Sequence, residues 1–231
     1  MELMLSAIVI VPSAPVMVPV LASSAAAETE DLRAAAVSAA AQLPRRWIAV
    51  GVAAADGVHG PESVGTFAGY GVDVRVGLSG PGSGEPTALP LCALITAWLR
   101  GLARPQAVAE VWACRGDQEP GAAADLGRRL RAQLDAAPEE VGVLVVADGA
   151  NTLTPAAPGG HDPDSPRVQA ALDDALATGD TAALMRLPST VLGRVAYQVL
   201  AGLAEPGPRS AKELYRGAPY GVGYFVGVWT P

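Results

Sequence analysis

Short runs of β-branched and small apolar residues recur along this chain, and between them lie longer stretches whose apolar positions fall at helical spacing. The runs Leu5–Val11, Trp47–Ala53, Ala107–Cys114 and Val141–Asp148 are almost continuously Val, Ile, Leu and Ala. Continuous apolar runs of that length are the pattern of strands covered on both faces. A shorter strand is expected over Gly71–Leu78, and a last one in "GVGYFVGVW". Helices are expected over Ser23–Leu43, stopped by Pro44, and over Thr87–Ala103, with Pro90 tolerated in the first turn. Two more are expected over Pro120–Ala137 and from Ser165, with Ser165 as N-cap and Pro166 at N1. Further on, Val191, Leu192, Val195, Val199, Leu200 and Leu203 share one helical face. Strands alternating with helices predict an α/β fold: a three-layer α/β/α sandwich around a mainly parallel, mixed sheet, with residues 1–231 forming a single domain.

Composition narrows what such a fold can do. The chain has 231 residues and a formal net charge of −7. That sign repels phosphate backbones, and no Lys/Arg cluster offsets it, so nucleic acid is not an expected partner. The apolar start "VIVPSAPVMVPV" is broken by Pro12, Pro15 and Pro19, and its only early charge is Glu2. It reads as a buried strand running into a loop, neither a signal peptide nor a membrane span. The two cysteines, Cys92 and Cys114, lie outside any C-x-x-C motif. They read as buried thiols of a protein in a reducing, cytoplasmic setting, although one disulfide stays open at this level.

In sheets of this kind ligands bind beyond the carboxyl ends of the strands. The loops to search are therefore Pro12–Pro19, Ala54–Tyr70 and Asp148–Asp164. They hold no G-x-S-x-G, no dinucleotide fingerprint, no phosphate loop and no zinc spacing. His59 and His161 are the only histidines. Asp148, closing a buried strand at the ligand-facing edge, is the stronger candidate by position.

Four stretches in order carry a resemblance: "VPSAPVMVPVL", "VHGP", "ADGANTLTPAAPGGHDP" and "LYRGAPYGVGYFVG". Their order and spacing resemble the class III extradiol dioxygenase family, in its catalytic subunit-B-like branch, over nearly the whole chain. The resemblance implies a fold built to open catechol-type rings with O₂, using Fe(II) held by two histidines and a carboxylate, with a further histidine as acid and base. Carried onto this sequence, the first metal histidine falls on Ser13 and the second on His59. The acid/base histidine falls on Asn151. The carboxylate falls near Arg216, in a motif one residue longer than the family's, with Glu213 three residues upstream as a possible substitute.

A lone imidazole does not hold a divalent ion against water, and a guanidinium repels one. The expectation is a dioxygenase-like protein without a metal or other cofactor, its ring-cleavage chemistry lost. Its retained pocket for a small molecule or partner would be lined by Ser13, His59, Asp148, Asn151, Arg216 and Tyr220, with His59 the one catalytic candidate left. Two other readings stand beside it. One is an enzyme with a rearranged site, in which His59 meets Asp148 or Asp56, with or without His161. The other is an interaction protein whose apolar helices "LCALITAWLRGL" and "VLGRVAYQVLAGL" are too greasy to be covered within one chain. A homodimer is the expected assembly.

Overall fold

The computed structural model describes residues 4–22 and 26–231. Its centre is a seven-stranded sheet. The strands are β1 (Leu5–Val11), β2 (Arg46–Ala53), β3 (Gly57–His59), β6 (Val108–Arg115), β7 (Val141–Val146), β8 (Ser210–Gly217) and β9 (Tyr224–Thr230), in the spatial order β3-β6-β2-β7-β1-β9-β8. The inner four, β6, β2, β7 and β1, run parallel. The edge strand β3 and the strand β9 run antiparallel to them, and β8, antiparallel to β9, returns to the direction of the inner four. The sheet is thus mixed with a parallel centre, as the alternation of elements predicts. It draws strands from both ends of the chain, Leu5 to Thr230.

Helices cover both faces. On one, α2 (Glu30–Ala40) and α3 (Leu91–Ala103) pack on Val9, Val11, Ala49, Val111, Leu144 and Val146. On the other, α4 (Pro120–Asp135), α5 (Ser165–Thr178) and α7 (Arg194–Leu203) pack on Ile8, Ile10, Val50, Val143 and Val145. Alternate strand residues feed opposite cores, as a pleat requires. Two four-residue helices, α1 (Pro19–Ala22) and α6 (Thr181–Leu184), complete the set, with a separate two-stranded sheet of β4 (Val64–Thr66) and β5 (Arg75–Gly77).

Several boundaries differ from expectation for identifiable reasons. The helix expected from Ser23 begins at Glu30; residues 23–25 of that expectation lie outside the described residues. Buried Thr29 donates to the Val16 carbonyl at 3.1 Å, and that long-range bond fixes the chain just before the helix. The strand expected over Gly71–Leu78 is only Arg75–Gly77, because Gly71, at φ 103°, ends a 3₁₀ turn over Phe67–Tyr70. Asp164, not Ser165, precedes the first turn of α5.

The apolar helices are covered by the chain itself. Cys92 through Arg100 of α3 and Val195 through Leu203 of α7 are all buried. α7 reaches that state by lying unusually close to α4. A Cβ on Gly127 would fall on the Val199 carbonyl, and one on Gly202 would fall on the Ala124 carbonyl. Most of both apolar segments is thus covered within the chain, and Leu102 and Leu192 stay exposed. Cys92 and Cys114 are free and buried in opposite cores, and burial pushes their thiols up to about 12 and about 11. Among the described residues no helix is long and apolar enough to cross a membrane.

Candidate functional site

The chain leaves β1 towards the α2–α3 face and leaves β7 towards the α4–α5–α7 face. Neighbouring parallel strands whose connections depart to opposite faces open a crevice at their carboxyl ends, the usual ligand position in such sheets. Ser13 follows β1 and Asp148 follows β7, so both stand at that crevice. The structure joins them: the Ser13 backbone N–H donates to Asp148 Oδ1 at 2.8 Å.

Asp148 keeps a little of its surface open, but its carboxyl sits deep enough that desolvation pushes its pKa up to about 7; the Ser13 N–H pulls the other way. Among the described residues it accepts that one hydrogen bond, where an ionised carboxylate has room for about four. Two buried phenols stand near. Tyr224, the first residue of β9, has its ionisation suppressed by burial first and then by the Asp148 charge. Tyr197 of α7 donates to the Ala147 carbonyl at 2.9 Å and is suppressed by the same two causes in the same order.

The loop after β7 is held from both sides. Gly149 N–H donates to the Gly223 carbonyl and Gly223 N–H to the Ala150 carbonyl, at 2.9 and 2.8 Å. Gly193 N–H donates to the Asp148 carbonyl at 2.8 Å. Ala150 N–H donates to Gln169 Oε1 at 2.9 Å, and Gln169 Nε2 donates to Asp173 Oδ1 at 2.8 Å. Asp173 is buried, and desolvation pushes its pKa up to about 6 against the hydrogen bond from Gln169. This Ala150–Gln169–Asp173 relay was missed at the sequence level. Its signal is two polar residues at i, i+4 beside Leu172 and Leu176, on the buried stripe of α5.

The other residues singled out from the sequence divide. Asn151 is in the same loop, folded back on it: its carbonyl accepts from Gly159 N–H at 2.9 Å, and its side chain lies where a Gly159 Cβ would be. Tyr220, in the turn between β8 and β9, is exposed, adopts φ 61° and donates to Glu28 Oε2 at 2.7 Å. Arg216 does not reach the crevice. It stands opposite Phe225, on the α5 face, and pairs with Glu213 at 2.9 Å and Asp174 at 3.0 Å. Glu213 is thereby engaged as well.

His59 is also elsewhere. It lies on β3, the far edge strand, opposite Val111. From β3 to β7 is three strand positions, roughly 14 Å sideways. His59 is also level with Leu144, about 13 Å short of Asp148 along the strand. Asp56 serves the neighbouring turn, accepting from Arg115 N–H at 2.7 Å and Gln118 Nε2 at 2.6 Å, and His161 is exposed. The rearranged site joining His59 to Asp148 is not formed. The four positions carried over from the dioxygenase resemblance supply no converging donor set, and among the described residues no three His, Cys, Asp or Glu side chains are grouped to hold a metal ion.

No protein-family model and no curated protein matches the sequence. The fold does have a solved counterpart, the crystal structure of uncharacterized protein JW3007 from Escherichia coli K12. It superposes with a TM-score of 0.62, covering 98% of this chain and 100% of that one at 10% identity. The likeness is one of fold.

Proposed function

We propose that this chain is an extradiol dioxygenase-like protein that has lost the family's iron site and ring-cleavage activity and has kept the crevice as a binding site for a small hydroxyl-bearing, polar or aromatic molecule. The observation that carries this reading is Asp148: a largely desolvated carboxyl at the sheet's switch point, tied to Ser13 N–H and with no other hydrogen-bond partner on its carboxyl among the described residues. Near neutral pH such a group can accept from a ligand hydroxyl or donate to a ligand carbonyl. Tyr224 and Tyr197 stay protonated beside it, which keeps the surroundings uncharged. Ser13 in place of an imidazole, and Arg216 held by two carboxylates, support the loss of iron. A cytoplasmic homodimer belongs to the same proposal.

The test is direct. Protein produced with Fe(II) is analysed for iron, assayed for cleavage of catechol and 3,4-dihydroxybenzoate, and titrated with both by calorimetry. The expected result is no stoichiometric iron, no turnover, and saturable catechol binding that Asp148→Ala abolishes. Stoichiometric iron with ring cleavage overturns the proposal, and so does binding indifferent to Asp148→Ala.

A further inference from the structure

A cavity of about 310 Å³ opens on the outer flank of α5, and neither Ser13 nor Asp148 lines it. Its position follows from the helix's periodicity. Ser165, Gln169, Leu172, Asp173 and Leu176 turn inward. Arg167, Val168 and Ala171 fall on the adjoining stripe and face the segment after α6 that contains Arg186, Leu187 and Pro188. The floor is apolar, and two guanidiniums stand at its rim.

The net charge is −7, and ten of the 16 Lys and Arg side chains have partners: Arg46, Arg75, Arg115, Arg128, Arg131 and Arg216 pair with carboxylates, and Arg33, Arg100, Arg104 and Arg194 bind carbonyls. What sets Arg167 and Arg186 apart is that both line one cavity. Among the described residues neither the Arg167 nor the Arg186 side chain has a hydrogen-bond or ion-pair partner, and no carboxylate lines the cavity. Asp164 is three residues before Arg167 and forms no ion pair with it. The volume is in the range of small-molecule sites, which combine an apolar body with a few placed polar groups. Guanidinium forks match planar oxyanions in two-point geometry.

We infer that this cavity binds a small amphipathic carboxylate, its apolar body on Val168, Ala171 and Leu187 and its carboxylate between Arg167 and Arg186. The site is independent of the crevice and of the function proposed for it.

The experiment is an amide-resolved NMR titration of the whole chain with benzoate and octanoate, with benzyl alcohol and octanol as uncharged controls and octyl phosphate as the alternative anion. Saturable shifts confined to the amides of residues 167–171 and 183–187 are expected for the carboxylates. The uncharged controls should bind at least about tenfold more weakly. The double variant R167S/R186S, two exposed positions whose change leaves the core intact, should lose carboxylate binding by a similar factor while its spectrum stays folded. High salt should weaken binding. No saturation by roughly 10 mM, equal binding of the alcohols, binding unchanged in the double variant, or octyl phosphate preferred over octanoate would each overturn the assignment.

Discussion

The backbone N–H of Ser13 and the carboxylate of Asp148 meet at 2.8 Å, joining loops 135 residues apart in sequence across the carboxyl edge of two neighbouring strands. Because burial pushes Asp148 up to about 7 against the pull of that N–H, this carboxyl makes stability depend on pH. From about pH 4 upward the unfolded chain gives up the proton, while the fold holds it to about pH 7. Stability contributed by this group is therefore fully present in acid and is lost as pH rises through that window, by on the order of 4 kcal/mol at most. Asp173, pushed up to about 6, loses stability in the same direction, finishing earlier. Asp148→Asn keeps an oxygen for the Ser13 N–H and removes the titration. Its melting temperature relative to the natural protein should rise from pH 5 to pH 8. Parallel profiles, or a carboxyl carbon of residue 148 titrating below pH 5 by NMR, would refute the prediction.

Arg100 joins three segments without a carboxylate. Buried on α3, it donates from Nε to the Gly77 carbonyl at 2.9 Å, from Nη1 to Pro105 at 2.6 Å and from Nη2 to Gly80 at 2.7 Å. Arg100→Met replaces the stem and leaves those carbonyls without their donor in a buried setting. A loss of about 2–4 kcal/mol is expected in urea unfolding, because deserted buried acceptors keep their desolvation cost. Arg100→Lys should recover only part, since one ammonium cannot span all three carbonyls. A loss under about 0.5 kcal/mol for the Met variant would show that the carbonyls find other partners.

Gly127 reverses the usual helix rule. In an exposed helix interior, replacing glycine by alanine gains about 1 kcal/mol. Here the added methyl falls on the Val199 carbonyl of α7, a backbone atom that moves only with its helix. Gly127→Ala should destabilise by about 1–3 kcal/mol despite the better propensity. Gly121, whose Cβ would meet nothing within 4 Å, is the control, and Gly121→Ala should be neutral or stabilising. If the two variants behave alike in thermal melts, the close approach of α4 and α7 is not what fixes Gly127.

Much of this architecture was legible because its strands are buried on both faces. Ala7–Val11 and Val141–Val146 are unbroken runs of apolar residues and glycine that no surface helix would tolerate, and the sheet's parallel centre follows from what separates them. The edges were not legible. β3 is three residues long, and β8 reads "SAKELYRG", whose charges are those of an edge strand. The site was half legible. Asp148 was placed by rule at a strand end, Ser13 by resemblance within a loop that the same rule marked, and the structure brings them together. His59 and Arg216 were placed by resemblance, and the long-range pairings that remove them, β3 on β6 and Arg216 on Asp174, leave no local trace in the sequence. Gln169 and Asp173 were overlooked because a polar pair on a helix ordinarily faces water.

Tyr220 is the one non-glycine residue at positive φ among those described, and its 61° sits in the left-handed region that costs a residue with a Cβ about 1 kcal/mol or more. What offsets that cost is visible: the phenol donates to Glu28 Oε2 at 2.7 Å, connecting the β8–β9 turn to the segment before α2. The following residue, Gly221, is also left-handed, and its close approach to Thr154 and Ala157 seats the turn on the loop after β7. Substitutions at Tyr220 separate backbone strain from the side-chain bond. Tyr220→Ala keeps the strain and loses the bond, Tyr220→Phe keeps strain and ring, and Tyr220→Gly loses both strain and bond. Tyr220→Gly should therefore exceed Tyr220→Ala in stability by about 1 kcal/mol. Tyr220→Phe should fall below the natural protein by less than about 1 kcal/mol, the usual value of an exposed hydrogen bond. Equal stabilities of the glycine and alanine variants in chemical unfolding would mean that the turn relaxes out of the left-handed region once the phenol is gone, and the strain would then belong to the Glu28 contact and not to the fold of the turn.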